Sequence, residues 1–213
     1  GIIEFHYSKI IQDELHYDSI YHEHLFYFTV NTLTELLKKY GLFAFDADRS
    51  PISGGSIVLY FSKCKRKISK NLNKLVYYEK RNKVNTLYKW KIFAKKSTSH
   101  SKKFKLIIKK LKKKHNIIGY GASARSSTLL NFCNINNKII DKIIDKNKLK
   151  KNKFTPGSNI KIVDYEDEIK NIDKYDLIVI LAWNFEKEII SDLKKNNFKG
   201  NFLLPLPNKI RLE

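Results

Sequence analysis

A chain of 213 residues that is 42% hydrophobic and 13% aromatic can bury a sizeable core, which excludes a disordered chain. No apolar run reaches the about 18 residues that mark a membrane span, so no membrane partner is expected. The net charge of +21 is local: residues 63–114 carry 21 basic side chains against one acid, Glu79, which leaves +1 for the remainder. Lysines make up 37 of the 42 basic residues, whereas phosphate and base recognition favours the rigid Arg fork, so the stripe reads as solvated surface and no nucleic-acid partner is expected. Cys64 and Cys133 form no Cys-x-x-Cys pair, which argues against a disulfide scaffold or a thiolate zinc site and makes a reducing, cytoplasmic setting the default expectation.

Gly1–Phe5 has no initiator Met and no export signal and reads as mid-protein sequence, so the natural chain is expected to extend upstream. Residues 1–8 predict the end of a strand, with Glu4 and His6 on one side of the pleat. Residues 21–28, Tyr21-His22-Glu23-His24 followed by Leu25-Phe26-Tyr27-Phe28, follow neither period and predict a loop or a short extended segment. A helix follows: Thr29 or Asn31 caps it, Leu33, Leu36, Leu37 and Tyr40 recur at helical spacing, and Gly41 suits the left-handed end. Residues 42–47 and 56–62 predict an antiparallel hairpin around Pro51 and Gly54-Gly55.

Helical periodicity runs from Ile68 to Leu111, with apolar faces at Leu72, Leu75, Val76, Val84, Leu87, Tyr88, Phe104, Ile107, Ile108 and Leu111, and with Ser97-Thr98-Ser99 as the expected break. Strands are then predicted from Ile117 into the Gly119-Tyr120-Gly121 turn, at 138–144, 160–163, 177–182 and 202–204, with helices at 126–132, 166–171 and 186–196. Such alternation implies an α/β fold with a parallel sheet and right-handed crossovers, a Rossmann-like C-terminal half.

Tyr21-His22-Glu23-His24 sets ionisable groups against an aromatic wall, and an imidazole beside a carboxylate is a candidate general base. His22 and His24 share one face of an extended chain, and His6 and His16 are further candidate ligands, but no helical His-Glu-x-x-His occurs and no metal is expected. Gly121 lets the turn approach a ligand, and Asp145 closes the second strand, where an acid often meets a ribose or sugar hydroxyl. The dinucleotide fingerprint is incomplete, because Ala124 stands where its third glycine would be; a tight turn without a ligand is the competing reading. Asn184 follows the buried run 176–183 and either contacts a substrate or caps the next helix.

These motifs occur together and in order: Tyr21-His22-Glu23-His24 with Tyr27-Phe28, Gly54-Gly55-Ser56, the turn Gly119-Tyr120-Gly121-Ala122-x-Ala124, Leu129-Leu130-Asn131, Asp145-x-Asn147, Thr155-Pro156-Gly157, Leu181-Ala182-Trp183-Asn184 and Pro205-Leu206-Pro207. The set resembles the sugar C-methyltransferase family. The resemblance implies a zinc-binding N-terminal segment, an S-adenosylmethionine-binding domain and a Rossmann-like C-terminal domain, of which the first and nearly all of the second are expected to be missing here. With the Lys-rich helical bridge read from charge and periodicity at 63–114, the expected layout is residues 1–62 as the end of the methyltransferase domain and 115–213 as the C-terminal domain. The resemblance further implies C-methylation of a nucleotide-linked keto-sugar, with His24 as base and Glu23 and Tyr21 in support. Gly121, Ser123, Asp145 and Asn184 are the candidate substrate-binding residues, although Ser123 and Arg125 stand where members often carry Pro and Lys. The alternative is a non-catalytic module that binds a nucleotide-sugar.

Overall fold

The computed structural model describes residues 1–213, which divide into two compact units: residues 1–15 with 23–95, and residues 16–22 with 96–213. The first unit holds β1 (Ile2–His6), α1 (Ser8–Asp13), α2 (Val30–Lys39), β2 (Phe43–Ser50), β3 (Ser56–Ser62), α3 (Lys70–Arg81) and the start of α4 (Leu87–Lys112). The expected hairpin forms between β2 and β3, and β1 adds antiparallel to the other edge of β3, giving the order β1-β3-β2. β3 therefore lies between two partners, and its Ile57 and Leu59 sink into a core with Tyr7, Val30, Leu33, Leu37 and Leu72.

α2 begins where its sequence says it should. The Thr29 hydroxyl accepts the Thr32 N–H at 3.1 Å, and the Thr32 hydroxyl accepts the Thr29 N–H at 3.0 Å, a reciprocal cap. Gly41, at φ +70°, ends it. A second device was not legible locally: the buried Glu79 carboxylate on α3 accepts the N–H groups of Val30 at 2.7 Å and Asn31 at 2.9 Å, setting negative charge on the positive end of α2. Glu79→Gln keeps the shape and removes the charge. It is expected to cost ~1–3 kcal/mol, read as a lower denaturant midpoint at unchanged slope.

The Lys-rich stretch departs from expectation in two places. Helix α4 runs unbroken through Ser97-Thr98-Ser99, and the break lies at 82–86, where Lys83 takes φ +52° and Thr86 accepts the Lys89 N–H at 3.3 Å. Small hydroxyl residues persist inside a helix when they are packed: Ser97 and Ser101 are buried, and the Ser101 hydroxyl donates to the Phe132 carbonyl at 3.0 Å. Leu87 and Tyr88, placed on an apolar face by periodicity, are each 69% exposed at the start of the helix, whereas Phe104 and Ile108 are fully buried.

The second unit contains the rest of α4, then β4 (Ile117–Tyr120), α5 (Ala124–Phe132), β5 (Lys142–Asp145), β6 (Lys161–Asp164), α6 (Tyr165–Glu168), β7 (Leu177–Ile180), α7 (Glu186–Lys195), β8 (Asn201–Leu204) and β9 (Arg211–Leu212). The sheet order is β6-β5-β4-β7-β8-β9, with five parallel strands and β9 antiparallel at the edge. The α/β class with a Rossmann-like sheet is thus as read from the alternation. β4 and β7 are buried on both faces, which explains their unbroken apolar runs. The strand predicted from Lys138 starts only at Lys142. Ile139 and Ile140 instead form a turn, their N–H groups donating to the Asn136 carbonyl at 2.9 and 3.1 Å, and are buried without strand pairing. The order reverses between β4 and β7, the switch point at whose carboxyl edge open α/β sheets hold ligands. No helix is long and apolar enough to cross a membrane.

Candidate active site

In the first unit, β1, the loop 23–28 and one face of α2 line an open cavity of about 640 Å³. The extended chain of β1 brings Glu4 and His6 to its lining, and the loop brings Glu23 and His24. The loop end is pinned where the Ser8 N–H and hydroxyl both donate to the Phe28 carbonyl, at 3.0 and 2.7 Å. The apolar wall is aromatic: Phe28 meets Phe5 edge-on at 6.3 Å and Phe26 in a stack at 6.0 Å. Leu36 and Tyr40, on the outer side of α2, complete it. Imidazoles and carboxylates against such walls can take a proton from a weak carbon acid, and the carboxylates and ring faces favour a cationic ligand. No cluster of three His, Cys, Asp or Glu side chains has the arrangement of a metal site.

Tyr21 and His22 fall in the second unit, where their rings meet edge-on at 6.1 Å. They follow a 3-10 turn, Tyr17–Ser19, that is buried throughout. The Asp18 carboxylate accepts Arg125 Nε at 2.9 Å, Arg125 Nη2 at 3.1 Å and Trp183 Nε1 at 2.8 Å. Sequence reading singled out Arg125 and Trp183 only as members of motifs and passed over Asp18.

A second cavity, of about 340 Å³, lies at the carboxyl edge of β4, β5 and β7. Gly121 and Asp145 line it; Ser123 and Asn184 are not among its lining residues. Gly121 takes φ +94°, and a Cβ there would stand 2.6 Å from the Ala182 Cβ, so the close approach of the turn to the segment that follows β7 requires glycine. The Asp145 carboxylate accepts the Ala122 N–H at 2.8 Å, the Asn147 N–H at 2.8 Å and Lys150 Nζ at 3.1 Å, and so braces the turn. Ser123 spends its hydroxyl on the α5 cap, accepting the Ser126 N–H at 3.1 Å. Asn184 is exposed, and the cap position of α7 falls on Phe185.

Tyr120, Lys146, Phe185 and Glu188 also line this cavity and were missed by sequence reading. Burial, with Asp192, Tyr165 and Asp145 nearby, pushes the Tyr120 hydroxyl well above the usual tyrosine range and keeps it a proton donor. Lys146 donates to Asp192 at 2.8 Å and rests 4.5 Å above the Tyr165 ring. Each of Tyr120, Lys146 and Phe185 sits at or just beyond a strand's carboxyl end, so following every strand to that edge is the signal that finds them.

Residues 51–207 match the family described as "C-methyltransferase C-terminal domain", a stretch that takes in the second cavity and leaves Tyr21–His24 outside it. The chain is also 27% identical over 195 residues to "C-methyltransferase NovU" of Streptomyces niveus, an alignment that covers 90% of this chain and 46% of the relative. The chain therefore spans about half the length of that curated relative. With well over half of its residues matching, including the Gly121 turn and the whole parallel sheet, the chain belongs to the C-methyltransferase C-terminal domain family.

Proposed function

We propose that the chain is part of an S-adenosylmethionine-dependent C-methyltransferase that methylates a carbon next to the ketone of a nucleotide-linked keto-sugar. The observation that carries this reading, in a chain of this family, is the placement of Glu23 and His24 with Glu4 and His6 on an aromatic-walled cavity. S-adenosylmethionine, when bound, supplies an electrophilic methyl group. The carboxylates of Glu4 and Glu23 and the Phe faces suit its cationic sulfonium, and most of its binding surface is assigned to a separate domain, as in the family the sequence resembles.

In this reading neutral His24 takes the proton from the carbon beside the ketone. The C–H electron pair moves into an enolate, whose carbon would take the donor's methyl group, the new carbon–carbon bond forming as the carbon–sulfur bond breaks and its electron pair leaves with the demethylated donor. Glu23 orients the imidazole and stabilises its charged form. Tyr21 takes a sugar-binding or orienting role by its place in the same motif. Within the second unit, the cavity at the sheet edge suits a nucleotide, with the Tyr120 hydroxyl as donor and the Phe185 ring as a stacking surface on the floor shaped by Gly121 and Asp145.

The test uses the full-length protein with methyl-labelled S-adenosylmethionine and a nucleotide-linked keto-sugar. Label is expected on the carbon that also takes up solvent deuterium when the donor is replaced by its demethylated product. Label on oxygen or nitrogen overturns the reading. Nucleotide-sugar binding with no transfer supports the binding-module alternative.

A further inference from the structure

We infer that Asp18 is a positioning residue: with Arg125 and Trp183 it forms a buried clamp that holds the Tyr21 segment on the Rossmann-like unit. The inference rests on the functional reading above for its kinetic consequence, and on geometry alone for the clamp itself. Residues 16–22 belong to the second unit although the residues on either side of them in the chain belong to the first. Those seven residues end at the His-rich motif, and something must hold so short an excursion in place.

The side chains supply it. Asp18 is 1% exposed, and its two oxygens together accept three N–H groups, two from the Arg125 fork and one from the Trp183 indole. The Arg125 guanidinium lies 4.6 Å above the Trp183 ring, and the fully buried His16 ring stands 4.6 Å from the same indole. Next to it, the Tyr17 hydroxyl bonds His100 Nδ1 at 3.0 Å while its ring packs 4.9 Å from Phe132. The Ser19 hydroxyl donates to the His16 carbonyl at 2.6 Å and closes the turn.

Burying a carboxylate is costly unless it is fully paired, and replacing such a group with an apolar one is often neutral or better for stability. A charge network in this position is therefore explained less by stability than by geometry: a bidentate fork and an indole N–H fix the carboxylate in direction as well as in place. Tyr21 begins two residues after the turn, so its backbone origin is set by this clamp. Small displacements of a reacting group cost large factors in rate, about a hundredfold for 1 Å.

The experiment compares wild type with Trp183→Phe, Arg125→Lys and Asp18→Asn in the full-length protein, by amide hydrogen exchange and by kinetics. Trp183→Phe keeps an aromatic six-membered ring and removes the indole N–H with its five-membered ring, and it is expected to stay folded even where Asp18→Asn does not. The Ser19 and Ile20 amides, which donate within the turn to the His16 and Tyr17 carbonyls at 3.1 and 3.2 Å, are expected to exchange about tenfold faster in Trp183→Phe, with β7 amides unchanged. Methyl transfer is expected to lose about tenfold in kcat with the donor KM unchanged, and Arg125→Lys to retain more kcat than Asp18→Asn. Unchanged exchange at Ser19 and Ile20, or an equal rise in β7, overturns the clamp. Faster local exchange with unaltered kcat overturns the positioning role. A wild-type protein that transfers no methyl group overturns the functional reading and its kinetic consequence, while exchange still decides the clamp.

Discussion

His24→Asn in the full-length protein is expected to lower methyl transfer by about 10²–10⁴-fold while leaving the affinity for both ligands within a small factor of wild type. Asparagine preserves approximate size and hydrogen bonding on the cavity wall but cannot accept the substrate proton. The loss must therefore appear in kcat and kcat/KM together, the pattern of an interaction made only in the transition state. Solvent deuterium uptake at the reacting carbon, followed without the methyl donor, should fall by a similar factor, because it isolates the proton-removal step. If His24→Asn retains transfer within about threefold of wild type, the base is another residue, and His6, which lines the same cavity, is the first to test.

Gly121→Ala is expected to destabilise the second unit by ~2–6 kcal/mol, measured by denaturant unfolding. Two effects add. A φ of +94° strains any residue with a Cβ, at about 1–3 kcal/mol, and the new methyl would stand 2.6 Å from the Ala182 Cβ and 3.2 Å from its backbone nitrogen, an overpacking cost of about 1–3 kcal/mol. Adding Ala182→Gly removes the first of these contacts and leaves the backbone strain, so the double variant should recover about half of the loss. Full recovery would show that φ at 121 relaxes freely. No loss in the single variant would show that the turn does not press on the segment after β7. Because Gly121 also floors the second cavity, the partly restored double variant is the one in which to measure nucleotide-sugar binding.

Much of the architecture was legible because its causes are local. Thr29 and Gly41 bound α2 through their own hydroxyl and backbone chemistry, and the apolar runs of β4 and β7 report burial on both faces. The Gly121 turn announces itself by residue type, and the order of short motifs carried the family, which the match over residues 51–207 supports independently. Periodicity misled where packing overrode it. Ser97-Thr98-Ser99 has poor helix propensity yet lies inside α4, while Ile139 and Ile140 have strong strand propensity yet sit in a turn.

The amino-acid sequence by itself determined the fold class, the cap of α2, most strands of the parallel sheet and the residue types on which acid–base chemistry can be built. Only the tertiary structure decided which of them meet. It joined β1 to β3, set Glu4 and His6 on the cavity of His24, and brought Asp18 to Arg125 and Trp183, 107 and 165 positions away. The physical reason is range: capping, turn chemistry and periodicity act over a few residues of chain, whereas a cavity or a buried ion pair depends on which distant segments the folded core brings within a few ångströms, and no local pattern encodes that distance.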